Sequence, residues 1–298
     1  MPYRSILILA LGLLMCTSGA RADEAADRAS RRALLNSLHY GSGTVVLPDA
    51  RARLEVKPGF RFLGHDDARK VLEQYWGNPP DDSVLGMLVP DDAGLGMDHS
   101  WAVVVTYSDE GYVSDEDAAK IDFDEMLTQM KQDTLEANDE RKQAGFGTVE
   151  LVGWAQPPLY DAASKHIHWA KELAFEGEAG HTVNYDIRVL GRNGFLSLNA
   201  VADHADLGRV RQGMTQVLPM AQFDPGQRYA DYQPGSDKVA AYGIAALVGG
   251  GLAAKAGFFA KIGAMLLAGK KLVALLLVGL VGAFGRLFGR KKKDETAV

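Results

Sequence analysis

From Lys238 onward the chain carries 10 Lys or Arg but only 2 Asp or Glu, set among long uncharged runs, and this tail constrains everything before it. Residues 239–254 hold no charge, Lys255, Lys261 and Lys270 with Lys271 follow, and residues 272–285 are again uncharged before Arg286 and the basic run 290–293. A helix crosses the hydrocarbon core with roughly 20 mostly apolar residues. Residues 272–288 approach that length when Lys271 and Arg286 run their apolar stems to the two interfaces. The positive-inside rule then puts the basic tail, 289–298, in the cytoplasm. The preceding stretch, 239–271, contains Gly243, Gly249, Gly250, Gly251 and Gly257. Glycine weakens a water-exposed helix by about 1 kcal/mol per residue, whereas small residues let helices approach closely in lipid. This stretch is read as a membrane-associated helical segment that packs through Gly249, Gly250 and Gly251. It is either a second buried segment or a helix at the interface with Lys255 and Lys261 among the headgroups.

The opposite end has Arg4, an apolar run at 6–15 and the triplet Ala20-Arg21-Ala22. That is the layout of a secretory signal cleaved after Ala22, so residues 1–22 are expected to be removed. Cys16 is the sole cysteine and falls inside this segment, which leaves the mature chain without disulfide or thiol chemistry. Between Asp23 and Asp237 there are 36 Asp or Glu against 20 Lys or Arg. So acidic a body argues against nucleic acid, because phosphate binding draws on clustered cations. The expected placement is the inner membrane, single-pass, with the main domain in the periplasm and the C-terminus cytoplasmic. The partners implied are the lipid bilayer, an envelope protein or a second copy of the chain, and no cofactor is called for.

The body, 23–224, reads as one α+β domain, an antiparallel-sheet sandwich with flanking helices. Alternating apolar residues predict strands at 43–47, 52–56, 60–63, 84–89, 101–107, 148–155, 166–174, 182–190 and 194–201. Helices are predicted at 24–38, 66–76, 122–143 and 205–221, the second stopped by Gly77, Pro79 and Pro80. Residues 225–238 are rich in Gly, Pro and Tyr and are read as the linker to the anchor, ordered only if Tyr229 and Tyr232 dock.

Candidate chemistry is sparse. His166 and His168 alternate across one residue, so a strand turns both to one side, with Asp161 near in sequence; that is half of a zinc site. The spacing fixes no third ligand. The run 108–117 (SDEGYVSDED) crowds carboxylates around a Gly-Tyr turn but lacks the order of a calcium loop, and reads as a solvated acidic loop. No G-x-S-x-G, catalytic cysteine or phosphate loop is present. The aromatic and proline-rich segment with Trp154, Pro157, Pro158 and Tyr160 is the candidate interaction surface.

Five stretches, 111–118 (GYVSDEDA), 138–142 (NDERK), 152–161 (VGWAQPPLYD), 184–192 (NYDIRVLGR) and 237–243 (DKVAAYG), resemble in order the bacterial family of uncharacterised membrane-anchored proteins, domain of unknown function 2167. The resemblance implies an exported, membrane-attached protein of Gram-negative type and carries over no catalytic residue. The last half also resembles the PsbP-like fold, a strand meander followed by a closing helix and a short strand. Three functions follow: a non-enzymatic envelope-binding module, a membrane assembly component packing through its glycine-rich helix, or a metal-dependent hydrolase using the His-x-His strand.

Overall fold

The computed structural model describes residues 27–249, apart from Pro79 and Ala144. The signal segment 1–22, the span 272–288, the tail 289–298, and Gly250 and Gly251 lie outside the described residues. Among the described residues no helix is long and apolar enough to cross a membrane.

The chain begins with helix α1 (27–36) and the short strands β1 (Tyr40–Gly41), β2 (Gly43–Leu47), β3 (Ala52–Val56) and β4 (Phe60–Gly64). Helix α2 (His65–Arg69) continues as a π-helical turn, Lys70–Tyr75, and is followed by β5 (Val84–Pro90), β6 (Ala102–Ser108) and β7 (Tyr112–Ser114). The long helix α3 (Phe123–Gln143) precedes a meander of β8 (Val149–Asp161), β9 (His166–Phe175), β10 (His181–Leu190) and β11 (Phe195–Asp203). Helix α4 (Leu207–Val217), β12 (Ala221–Phe223), β13 (Val239–Gly243) and α5 (Ile244–Gly249) complete it.

Eight strands form one antiparallel sheet in the order β1-β4-β5-β6-β11-β10-β9-β8. A three-stranded sheet, β12-β3-β2, and a parallel pair, β13-β7, stand apart from it. The result is a mixed α/β fold with one large antiparallel sheet and few helices. Side chains on a strand alternate between faces, and the register sorts them cleanly. Val103, Val105, Leu196, Leu198, Ala200, Val183, Tyr185, Ile187 and Ala170 share one face, where they pack with Leu54 and Val56 of β3 and Val210, Met214 and Val217 of α4. Gly213 lets α4 come this close: a Cβ there would stand 2.3 Å from the ring of Trp101. The β10–β11 turn needs a glycine equally, because Gly194 has φ +155 and a Cβ there would meet Ser108 O at 1.7 Å.

The opposite face carries two separate apolar clusters. One lies under α1 and α2 and includes Leu63, Val71, Val84, Met87 and Ala102. The other gathers Ile167, Trp169 and Leu190 from the sheet with Val113, Tyr229, Ala240, Ile244, Leu247 and Val248. Its last five residues come from the segments assigned by sequence to the linker, 225–238, and to the membrane-associated segment, 239–271. The structure corrects both boundaries. The domain runs on through Gly249, and residues 239–243 form a strand because β7 offers them an edge.

Three further differences have plain causes. β8 extends to Asp161 through Pro157 and Pro158, which an edge strand with register shifts tolerates. The helix expected over 205–221 is broken at Pro219 into a short 3-10 turn and β12. β7 is three residues long and has no alternation to detect.

Candidate functional site

The acidic loop expected to be solvated instead binds the C-terminal stretch. Asp115 Oδ2 accepts hydrogen bonds from Lys165 Nζ at 2.7 Å and Tyr160 Oη at 2.5 Å, and Oδ1 accepts from Tyr229 Oη at 3.1 Å. The Tyr229 hydroxyl is also 3.0 Å from Val113 O. Tyr112 stacks on Tyr229 and Tyr232, with ring centroids 4.5 and 3.8 Å apart. Asp117 caps α5: its carboxylate accepts the backbone N–H groups of Ile244 and Ala245, each at 3.0 Å. Arg192 holds Asp237 with two parallel hydrogen bonds, 2.7 and 2.8 Å. Residues 225–238, which contain only a short 3-10 turn, are thereby fixed to the domain by aromatic stacking and bidentate ion pairing.

These contacts set the local charge states. Burial alone would raise the Asp115 carboxyl, but the hydrogen bonds from Lys165, Tyr160 and Tyr229 outweigh it and hold the group below the usual carboxylate range. The Arg192 fork holds Asp237 at about 2. Tyr229 and Tyr160 are pushed upward, mainly by burial.

A second feature lies beside this clasp, on the sheet face between the two apolar clusters. Two rows of the register, Trp169–Asp186–Asn199 and Ile167–Arg188–Ser197, put Asp186, Asn199, Arg188 and Ser197 on that face, and Lys171 stands two residues beyond Trp169. Asp186 is only 2% exposed. Its Oδ1 accepts from Asn199 Nδ2 at 2.9 Å and is ion-paired with Arg188 Nη1 at the same distance, and its Oδ2 lies 3.9 Å from Lys171 Nζ. Arg188 Nη1 also donates to Ser197 Oγ, while the guanidinium lies over the rings of Trp169 and Phe195, 5.2 and 5.8 Å from their centroids. Tyr242 of β13 packs against the same apolar cluster as Trp169 and Phe195, so β13 borders the strip. An ion pair buried in mid-sheet contributes less to stability than well-packed apolar residues of the same volume would.

Residues singled out from sequence fall differently. His166 and His168 do share a face, their rings stacked 5.8 Å apart, but it is the face opposite the strip. Burial pushes both imidazoles below the ordinary histidine range. Ser164 Oγ bonds to His166 Nδ1, and Asp161 is engaged in the hairpin turn, accepting from Ala163 N at 2.8 Å and Ser164 N at 3.3 Å. Among the described residues no three His, Cys, Asp or Glu side chains are gathered as a metal ion would need. Trp154 donates its indole N–H to Phe123 O at 3.2 Å, and Tyr160 serves Asp115, so both aromatics face inward; Pro158 is buried and Pro157 exposed. Gly249 ends α5 beside Met126, 3.7 Å from where its Cβ would be. Sequence reasoning missed Asp186 and Arg188 because on a strand they read as the solvated side of an ordinary alternation.

No curated protein matches the chain. Solved structures with partial similarity include two. The solution structure of cyanobacterial PsbP (CyanoP) from Synechocystis sp. PCC 6803 shares 10% identity over 63% of this chain and 93% of that one, with a TM-score of 0.34. The Ran-binding protein Mog1p of Saccharomyces cerevisiae shares 12% over 63% and 96%, with a TM-score of 0.31. The match to a family model is far more extensive: residues 39–281 fit the one described as protein of unknown function (DUF2167), and the chain belongs to that family.

Proposed function

We propose that the protein is a membrane-anchored, extracytoplasmic binding module without catalytic activity, whose domain is fixed directly to its anchor and binds an envelope component at the strip around Asp186 and Arg188. The observation that carries this reading is the clasp. Asp115, Asp117 and Arg192 hold residues 229–249 on the domain, up to the point where the apolar tail continues. A mere tether has no use for an ordered connection, whereas a binding surface held at a set orientation to the bilayer does. The family match supports the same view, since it runs through most of the apolar tail to residue 281.

Fractionation tests the placement. The full chain with a C-terminal epitope, produced in a Gram-negative host, is expected to stay with membranes through an alkaline carbonate wash. In spheroplasts, added protease is expected to remove the body and spare the epitope. Recovery of the intact chain from the soluble cytoplasmic fraction contradicts the proposal.

A further inference from the structure

We infer that the polar strip on β9, β10 and β11 is a binding site for a small oxyanion, a carboxylate or phosphate group. This rests on the reading of the domain as a binding module and names the chemistry of its ligand. Asp186 Oδ1 accepts from Asn199 and is ion-paired with Arg188, and Ser197 Oγ accepts from Arg188. Three neighbouring groups can only donate: the Trp169 indole, the Lys171 ammonium and the Arg188 guanidinium. The Trp169 N–H is buried and finds no acceptor among the described residues. A buried donor left unpaired is costly, which favours an acceptor in the complete site. Lys171 meets Asp186 only at 3.9 Å, beyond hydrogen-bonding distance, so its donors are not spent on that carboxylate. Arg188 Nη1 donates to Ser197 Oγ and to Ile187 O and is ion-paired with Asp186, with the guanidinium held over Trp169 and Phe195.

The charges agree with the donors. Within the strip two cations, Arg188 and Lys171, face the one carboxylate of Asp186, with Glu110 at the border bonded to Tyr242, inside a body where acids outnumber bases 36 to 20. A cationic ligand would find the single carboxylate already paired; an oxyanion finds donors with capacity left. Asp186 keeps such a ligand toward the Trp169 and Lys171 side by repelling it from its own oxygens.

The test uses the full chain in a phosphate-free detergent, with the indole N–H resonance of Trp169 assigned by Trp169→Phe. The chain is titrated with inorganic phosphate in one arm and acetate in the other, which separates the two sources of oxyanion. A saturable shift of that resonance is expected in at least one arm. Lys171→Met, which keeps the apolar stem, is expected to weaken the binding about tenfold, as loss of one charge-assisted hydrogen bond does, with the melting temperature unchanged. Absence of a saturable shift in both arms, or binding insensitive to Lys171→Met, overturns the inference. Failure here with the chain still recovered from membranes removes the oxyanion and leaves the placement intact. A cytoplasmic soluble chain that still binds does the reverse.

Discussion

Asp186→Ala is expected to lower the unfolding free energy by about 3–5 kcal/mol, because it leaves the Arg188 guanidinium in the sheet interior without its carboxylate. Replacing both partners together, Asp186→Leu with Arg188→Met, is expected to remain within about 1–2 kcal/mol of the natural chain, since matched apolar residues remove the desolvation cost along with the attraction. Urea denaturation of the full chain in detergent, followed by tryptophan fluorescence, gives both values. The contrast separates a strip retained for binding from one retained for stability. If the pair behaves as part of the folding core, the double replacement will be as damaging as the single one. The geometry argues otherwise: Ile167 and Leu190 flank the pair, and Trp169 and Phe195 already lie beneath the guanidinium.

The second large effect concerns the clasp. Asp115→Ala removes the acceptor shared by Lys165, Tyr160 and Tyr229 and is expected to cost about 2–4 kcal/mol, the range for orphaned partners of a charged hydrogen-bonding group. It should also free the stretch after Phe223 from the sheet. The pH dependence carries a defined sign. In the folded chain the Asp115 carboxyl lies below its ordinary range and that of Asp237 at about 2. A carboxyl depressed by folding stabilises the fold fully above its unfolded pKa, and that contribution is lost as the pH falls through the folded value. Melting temperatures are therefore expected to drop between about pH 4 and pH 2. Asp115→Ala should make that drop shallower, and a slope identical to that of the natural chain would place the linkage elsewhere.

The sequence displays the sheet more openly than the site, for a physical reason. Along β10, Val183, Tyr185 and Ile187 alternate with Asn184, Asp186 and Arg188, and the Gly191–Gly194 turn joins it to β11, so strand, hairpin and buried face can be read from period alone. The same alternation misleads about Asp186. A half-buried strand normally sends its polar side to water, and only the clusters packed to either side under α1, α2 and β13 enclose this one. The clasp was hidden by distance: Asp115 and Tyr229 meet across 114 residues, and nothing local to Tyr229 signals that its partner exists. Composition made residues 225–238 look like a linker, because Gly, Pro and Tyr describe the local backbone well and its docking not at all. Trp154 and Tyr160 stand out in the sequence, and the structure engages both in internal hydrogen bonds, since large amphipathic rings serve internal anchoring as readily as recognition. The His166–His168 pair shows how far period reaches. It places two imidazoles on one face and is silent about a third ligand.

Whether the domain is fixed to the segment that follows it is decided most directly by amide hydrogen exchange on the full chain. Two sets of amides are informative, those of β13, Val239–Gly243, and those of Ile244 and Ala245 bound to Asp117. With the domain so fixed, they are expected to exchange as slowly as the amides of the neighbouring large sheet, and Asp115→Ala is expected to bring them to the rate of an open chain. Fast exchange at these positions in the natural protein, with the sheet itself protected, would contradict it.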